Sequence, residues 1–298
     1  MALRFNAVVL LERAWTPDIG SIAALIAQHY PVLGKPDWRM EGDEGVLVLD
    51  GAEVRIATVP AALLSSDLKP PMLMLGQPDA NAIAERQKAH VVVSAEGEGE
   101  GQGPTWTKAY AAITTLVTTI VASEAPALLS IFWPHASVFW TLEQAQRAAE
   151  AILSGSTPLE QWIGFAIVTP SNIDRDDVGG MVTWGLRAFV GKEIELAPAP
   201  LPPAQVGRHV IGVCKLILDG GATFRDRETL RADAGGPVFV IRERDFWLRR
   251  GIPAYVLISE DAVVDPETLL PKSALAAKDE KEPEEKGASF LNRLLRRS

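Results

Sequence analysis

Cysteine and histidine are scarce in this chain of 298 residues, which contains one cysteine, Cys214, and four histidines. A single cysteine excludes an internal disulfide framework and cannot build a zinc site from cysteines. No two histidines lie three or four residues apart, so a helical pair of metal ligands is also missing. We therefore predict no metal and no cofactor, and the cysteine content is typical of a reducing compartment.

Sequence motifs that bind nucleotides or activate a serine are also missing. The segment Glu96–Pro104 follows a predicted strand and precedes a predicted helix, which is where a dinucleotide-binding fingerprint lies. Its glycine spacing fails, because Gln102 or Pro104 stands where the third glycine belongs. No serine has the Gly-x-Ser-x-Gly surroundings of a hydrolase nucleophile. We interpret the glycine-rich segment as a flexible loop between two domains.

Long apolar runs and an excess of basic residues are absent as well. The longest nearly apolar segment, Ala109–Ala122, is shorter than the ~20 residues that span a bilayer. The N-terminal apolar run, Ala7–Leu11, is shorter than the core of a secretory signal. A net charge of −9 argues against nucleic-acid binding, which needs a positive field. We expect a cytoplasmic protein with no transmembrane segment and no nucleic-acid partner.

The Ala109–Ala122 segment has the clearest periodicity. Apolar pairs alternate with threonine pairs at 114–115 and 118–119, which predicts an amphipathic helix over roughly residues 105–123. We interpret the threonine face as lightly packed or solvated surface.

The order of predicted elements indicates an α+β fold. Up to residue 95 the pattern reads β-α-β-β-α-β, a ferredoxin-like module, and a decorated second ferredoxin-like module follows. The predicted domains are residues 1–95, residues 104–271 and a C-terminal segment, residues 272–298. Residues 272–298 hold seven basic and five acidic residues, so 22 basic and 33 acidic residues give residues 1–271 a net charge of −11.

The segment from Ile131 to Trp140 is the best place to search for a small-molecule site, because it holds two tryptophans and a histidine. His135 is the candidate acid or base, and Trp133, Trp140 and Trp184 are candidate walls of a ligand pocket. Glu193 and Glu195 alternate along a predicted strand and so face one side. They are either weak candidates for paired catalytic carboxylates or, as we favour, solvated charges on a strand.

The second half of the chain resembles a known family. The resemblance covers roughly residues 80–230, and four segments carry it: Leu128–Phe139, Pro158–Ile167, Thr183–Leu196 and Asp219–Thr223. Their succession is similar to a family of bacterial proteins that is described only as a domain of unknown function. The resemblance implies a bacterial cytoplasmic α+β protein and implies no catalytic residues.

A fainter resemblance links one phrase to suppressor-of-fused-like domains. The phrase consists of Thr183, Gly185, Leu186, Gly191, Glu193 and Ile194. Such domains are interaction modules, and some are proposed to neutralise toxins in bacteria. This resemblance implies a role in protein binding.

The C-terminal segment predicts a partner-binding tail. Residues 272–287 form a charged linker that we expect to be disordered. Beyond it, four apolar residues share one helical face, where a partner groove, a membrane or the protein's own body would contact them: Phe290, Leu291, Leu294 and Leu295.

Two functions from different classes follow. The first is a non-enzymatic interaction or adaptor protein, of which an immunity-type protein is one version, with a protein partner of unknown identity. The alternative is an enzyme or small-ligand binder that uses the region from Trp133 to Trp140. The sequence does not indicate an oligomeric state.

Overall fold

The structure is a computed structural model. It describes residues 3–49, 51–68, 79–97, 104–168, 178–231, 236–245 and 251–259. Within these ranges the chain forms helices and two β-sheets, which confirms the predicted α+β class. Two compact units divide the chain, and the described residues change unit between Trp162 and Ile163.

The first unit is built on a seven-stranded sheet. Its strands are β1 (Leu3–Leu11), β2 (Asp37–Glu41), β3 (Glu44–Leu49), β4 (Ala52–Val59), β5 (Ala89–Gly97), β6 (Leu128–Trp133) and β7 (Val138–Trp140). They lie in the order β2-β3-β4-β5-β1-β6-β7, and every neighbouring pair is antiparallel.

Helices cover both faces of this sheet. They are α1 (Ile19–His29), α2 (Ser65–Leu68), α3 (Ala80–Arg86), α4 (Pro104–Glu124), α5 (Leu142–Leu153) and α6 (Leu159–Trp162), and a 3-10 turn spans Pro31–Leu33. On one face, α4 packs on β1 and β5, and the ring of Tyr110 fills the space beside Gly97. On the other face, a core that includes Val8 and Phe132 packs against α2 and α3. The two sets are on opposite faces because side chains alternate along a strand.

The ferredoxin-like order is not confirmed. In that order β1 would lie between β4 and β5, but β5 pairs with both β4 and β1. The chain between β4 and β5 returns through two short helices beside the strand it left, so it makes an antiparallel neighbour instead of a βαβ crossover.

The observed division between units also differs from the predicted boundary near residues 96–104. β6 pairs with β1, and α4 packs on β1 and β5, so the residues after the glycine-rich segment complete the first sheet. A flexible composition marks a break in local structure, but the packing partners of the flanking elements decide where a unit ends.

The threonine face of α4 is buried and not solvated, which corrects the prediction. Its four threonines are at most 3% exposed: Thr114, Thr115, Thr118 and Thr119. Helices α1 and α5 pack on α4. Thr114 and Thr115 donate to the carbonyls one turn earlier, at 2.7 and 2.8 Å, so their hydroxyl groups have partners inside the core.

The second unit is built on a six-stranded sheet. Its elements are β8 (Gly164–Val168), β9 (Gly179–Trp184), α7 (Arg187–Val190), β10 (Glu193–Ala199), α8 (Pro203–Leu218), β11 (Thr229–Arg231), β12 (Val238–Asp245) and β13 (Pro253–Ser259). The strand order is β11-β12-β13-β10-β9-β8, in which β10 and β13 are parallel. Helix α8 packs on β9 and β10, and β10 is buried along its whole length.

Several predicted features lie outside the described residues. These are the centre of the glycine-rich segment, the charged linker and the apolar residues of the tail, Phe290, Leu291, Leu294 and Leu295. Among the helices that the structure does describe, none is both long and apolar enough to cross a membrane.

Candidate functional site

Two of the three tryptophans of the predicted ligand pocket lie in the core of the first unit. Trp133 and Trp140 are 0% and 2% exposed, and their rings stack with centroids 5.1 Å apart. Phe5 stacks on the far side of Trp133 at 5.9 Å. The indole N–H of Trp140 donates to the carbonyl of Gln161 at 2.9 Å. These rings therefore hold β1, β6 and β7 together, and neither has a surface on which a ligand would rest.

His135 lies in the turn after β6, and it completes the hydrogen bonds of β1. The last paired residues of β1 and β6 are Val8 and Phe132, so the backbone N–H of Asn6 has no partner on β6. This N–H donates to Nε2 of His135 at 3.3 Å. The imidazole packs against Phe5 with ring centroids 4.6 Å apart. The Nε2 lone pair that a general base would use is occupied by the fold.

Burial lowers the pKa of His135 from 6.5 to about 4. The ring is therefore neutral at neutral pH, as the hydrogen bond from Asn6 requires. Between pH 6.5 and about pH 4, His135 binds a proton in the unfolded chain but not in the folded chain. The free energy of unfolding therefore falls as the pH falls through this window.

We expect His135→Phe to abolish this part of the acid sensitivity. Between pH 6.5 and pH 4, the wild type loses about 3 kcal/mol more unfolding free energy than the variant. Urea denaturation at the two pH values measures this difference. The difference between the two pH values does not include the cost of removing the hydrogen-bond partner of Asn6, because that cost is the same at both. His29→Phe, at an exposed position of α1, is the matched control and keeps the wild-type dependence. Equal acid sensitivity in the wild type and His135→Phe contradicts the assignment.

Glu193 begins β10 and organises the loop that connects β9 to β10. It is 3% exposed, so it is not the solvated strand charge that the sequence favours. The carboxylate accepts hydrogen bonds from the backbone N–H groups of Gly185 (2.8 Å), Leu186 (3.2 Å) and Arg187 (3.3 Å). The hydroxyl of Thr183 donates to it at 2.8 Å. Glu193 thereby satisfies the N–H groups at the start of the single-turn helix α7.

The same loop explains the residues of the suppressor-of-fused-like phrase. Thr183 also accepts the N–H of Ile194 at 2.8 Å, so its hydroxyl joins β9 to β10. Gly185 and Gly191 have φ angles of 104° and 76°, which favour glycine. Burial raises the pKa of Glu193, and the four donors oppose this change. The spacing of the phrase is thus what a buried carboxylate and a single-turn helix require.

Glu195 and Trp184 also have structural partners in the second unit. Glu195 is 6% exposed and accepts a hydrogen bond from Arg244 on β12 at 2.9 Å. Trp184 is partly buried against an apolar cluster that includes Val182 and Ala254. Glu193 and Glu195 each have their own donors, so they do not form the shared acid–base pair that catalysis would need.

The most exposed aromatic and apolar residues of the first sheet lie on its edge strand, β2. All five residues of β2 are exposed, and Trp38 and Met40 are each 52% exposed. Val32, in the adjacent 3-10 turn, is 74% exposed. β2 is the terminal strand of the described sheet, so its outer edge pairs with no described strand. An edge strand with exposed apolar side chains is a template for pairing with another chain.

Strand β2 is absent from the elements predicted from the sequence, although the sequence contains a signal for it. Asp37, Arg39 and Glu41 alternate with Trp38 and Met40, which is the period of two that a strand requires. The glycine and aspartate at positions 42 and 43 then form a two-residue hairpin turn into β3, with a φ of 61° at the glycine. A charged residue at every second position makes β2 unlike the apolar runs that are typical of buried strands.

Within the ranges that the structure describes, no group of three His, Cys, Asp or Glu side chains is placed to hold a metal ion.

No protein-family model matches the chain, and no curated protein or solved structure is significantly similar to it. The two family resemblances therefore stay predictions.

Proposed function

We propose that this chain is a non-enzymatic interaction protein that binds a protein partner by strand addition at the outer edge of β2. The observation that carries the proposal is the exposure of Trp38 and Met40 on a strand whose outer edge has no described neighbour. In strand addition, main-chain hydrogen bonds supply affinity, and the side chains on one face supply specificity.

The residue types at this edge support the proposal. Tryptophan and methionine are enriched in the centres of protein interfaces, and tryptophan is a frequent hot-spot residue. Natural proteins protect edge strands with prolines and charges. Here Asp37, Arg39 and Glu41 occupy one face of β2, while Trp38 and Met40 share the other face. One face of the edge strand is therefore charged and the other is apolar, which restricts the strands that can pair with it.

The remaining chemistry fits a binding role. His135, Glu193 and Glu195 all hold the fold together through the contacts described above. An immunity-type role, in which this acidic chain neutralises a basic partner, is one version of the proposal. The predicted tail would add a second contact, because two linked modules bind more tightly than either module alone. We place the protein in the bacterial cytoplasm as part of the same proposal.

A comparative capture experiment tests the proposal. We expect Trp38→Ser to lose proteins that the wild type captures from a bacterial lysate, although the variant remains folded. Trp106→Ser is the matched control, because Trp106 is 49% exposed on α4 and lies away from the edge. A hot-spot tryptophan contributes about 2 kcal/mol or more, so capture falls at least about tenfold. Identical captured proteins for the wild type and both variants, together with a wild type that does not associate with itself, would overturn the proposal.

A further inference from the structure

We propose that the outer edge of β2 pairs with β2 of a second copy of this chain, about a two-fold axis at Trp38, and so forms a homodimer. The inference rests on the proposed function and names the partner. Three features of β2 support it: the direction in which its backbone N–H and C=O groups point, the order of its charges, and the contacts that hold its side chains in place.

The hairpin register determines which backbone groups of β2 are free. Glu41 and Glu44 flank a two-residue turn, so they exchange hydrogen bonds with each other. Hydrogen-bonded and non-hydrogen-bonded pairs alternate along an antiparallel ladder. The N–H and C=O groups of Asp37 and Arg39 therefore point toward β3, and those of Trp38 and Met40 point outward. The two residues with exposed apolar side chains thus also carry backbone donors and acceptors that no described strand pairs with.

A two-fold axis at Trp38 pairs these backbone groups with those of the second copy. Trp38 exchanges both backbone hydrogen bonds with Trp38 of the second copy. Met40 faces Pro36 of the second copy, and no donor is lost at that position because proline has none. The same axis places Asp37 opposite Arg39 of the second copy, twice over, and opposite charges on facing residues stabilise a sheet.

Neighbouring registers are disfavoured by charge. An axis at Arg39 would oppose Arg39 to its own copy and Asp37 to Glu41. An axis at Met40 would place Arg39 opposite Glu41, but it would also oppose Asp37 to Asp43 and would place Trp38 opposite the glycine of the hairpin turn. Like charges on directly facing residues destabilise strand pairing. The axis at Trp38 is thus the register around these residues that brings opposite charges together, sets no like charges against each other and keeps Trp38 within the ladder.

The side chains at this edge are already held in place. Arg39 contacts Glu41 at 2.7 Å and Glu53 at 3.0 Å, yet its side chain is still 46% exposed. The indole of Trp38 lies within 3.3 Å of the position that a Cβ of Gly20 on α1 would take. Side chains that are fixed before association lose less conformational entropy when they bind. The edge therefore presents a prearranged surface to the second copy.

A charge-swap experiment tests the register. In the proposed dimer, Asp37→Arg sets the introduced arginine against Arg39 twice, and Arg39→Asp sets two aspartates against each other twice. We expect each single variant to dimerise at least about tenfold more weakly than the wild type, which corresponds to about 1.4 kcal/mol. An equimolar mixture of the two variants restores opposite charges at both positions and forms a heterodimer of nearly wild-type affinity. Sedimentation velocity at increasing concentration measures the association, and circular dichroism verifies the fold of each variant.

Asp43→Arg is the matched control, because Asp43 is exposed in the adjacent turn and faces no charge in the proposed register. It leaves the dimer unchanged if the axis lies at Trp38 and strengthens the dimer if the axis lies at Met40. A wild-type chain that stays monomeric at every concentration overturns the second-copy inference. In that case strand addition itself still stands if Trp38→Ser changes the captured proteins. If Trp38→Ser also captures what the wild type captures, both proposals are overturned.

Discussion

Replacing Glu193 with alanine lowers the free energy of unfolding by about 4 kcal/mol, because several buried donors then lose their acceptor. The carboxylate accepts three backbone N–H groups and the hydroxyl of Thr183 at 2.8–3.3 Å. Two of these donors, the N–H groups of Gly185 and Leu186, are buried. Each buried donor without a partner costs about 1–3 kcal/mol. Urea denaturation at neutral pH measures the loss.

Glu193→Gln separates the shape of the side chain from its hydrogen bonding. Glutamine has nearly the same volume, but its amide nitrogen cannot accept the donors on that side. We expect a loss of about half that of the alanine variant. Glu228→Ala is the control, because Glu228 accepts one exposed backbone N–H, that of Arg225. An alanine variant at Glu193 that is as stable as this control would contradict the structural role.

Replacing Trp162 with alanine lowers the free energy of unfolding by about 3–5 kcal/mol, which is similar to the loss expected for Glu193→Ala. The side chain is 1% exposed, and its indole N–H donates to the hydroxyl oxygen of Thr115 at 2.9 Å. The substitution removes a large apolar ring and leaves a cavity beside α4. The expected loss follows from the packing energy of a buried tryptophan, and chemical denaturation measures it.

A double-mutant cycle isolates the hydrogen bond between Trp162 and Thr115. Thr115→Val removes the hydroxyl that accepts the indole N–H and costs about 1–3 kcal/mol. Trp162→Phe removes the donor and part of the ring. We expect the combination to cost clearly less than the sum of the two single changes, because both polar partners are then gone. Strict additivity would show that the two side chains do not interact and that the threonine face of α4 is not structural.

Local pattern alone was sufficient for many of the elements. The alternation of apolar and threonine pairs predicts a helix over residues 105–123, and α4 spans Pro104–Glu124. The periodic segment Leu142–Leu153 is helix α5, which a capping box between Thr141 and Gln144 begins. These features depend on residues three or four positions apart, so the information lies within one stretch of sequence.

The candidate site could not be read in the same way. The residue types around His135 and Glu193 indicate chemistry when they are exposed in a cleft. Whether they are exposed depends on elements far away in the chain. Asn6, which lies 129 positions from His135, takes the imidazole nitrogen. The N–H groups of a neighbouring loop take the carboxylate of Glu193.

The sequence by itself thus determined the α+β class, the approximate positions of many helices and strands, and the acidic charge of the chain. Only the tertiary structure decided that β5 lies between β4 and β1, that the threonine face of α4 is buried, and that β2 is left at the edge. The physical reason is the range of the interactions. Periodicity and capping act over a few residues, whereas strand order and burial depend on pairing between segments up to a hundred or more residues apart.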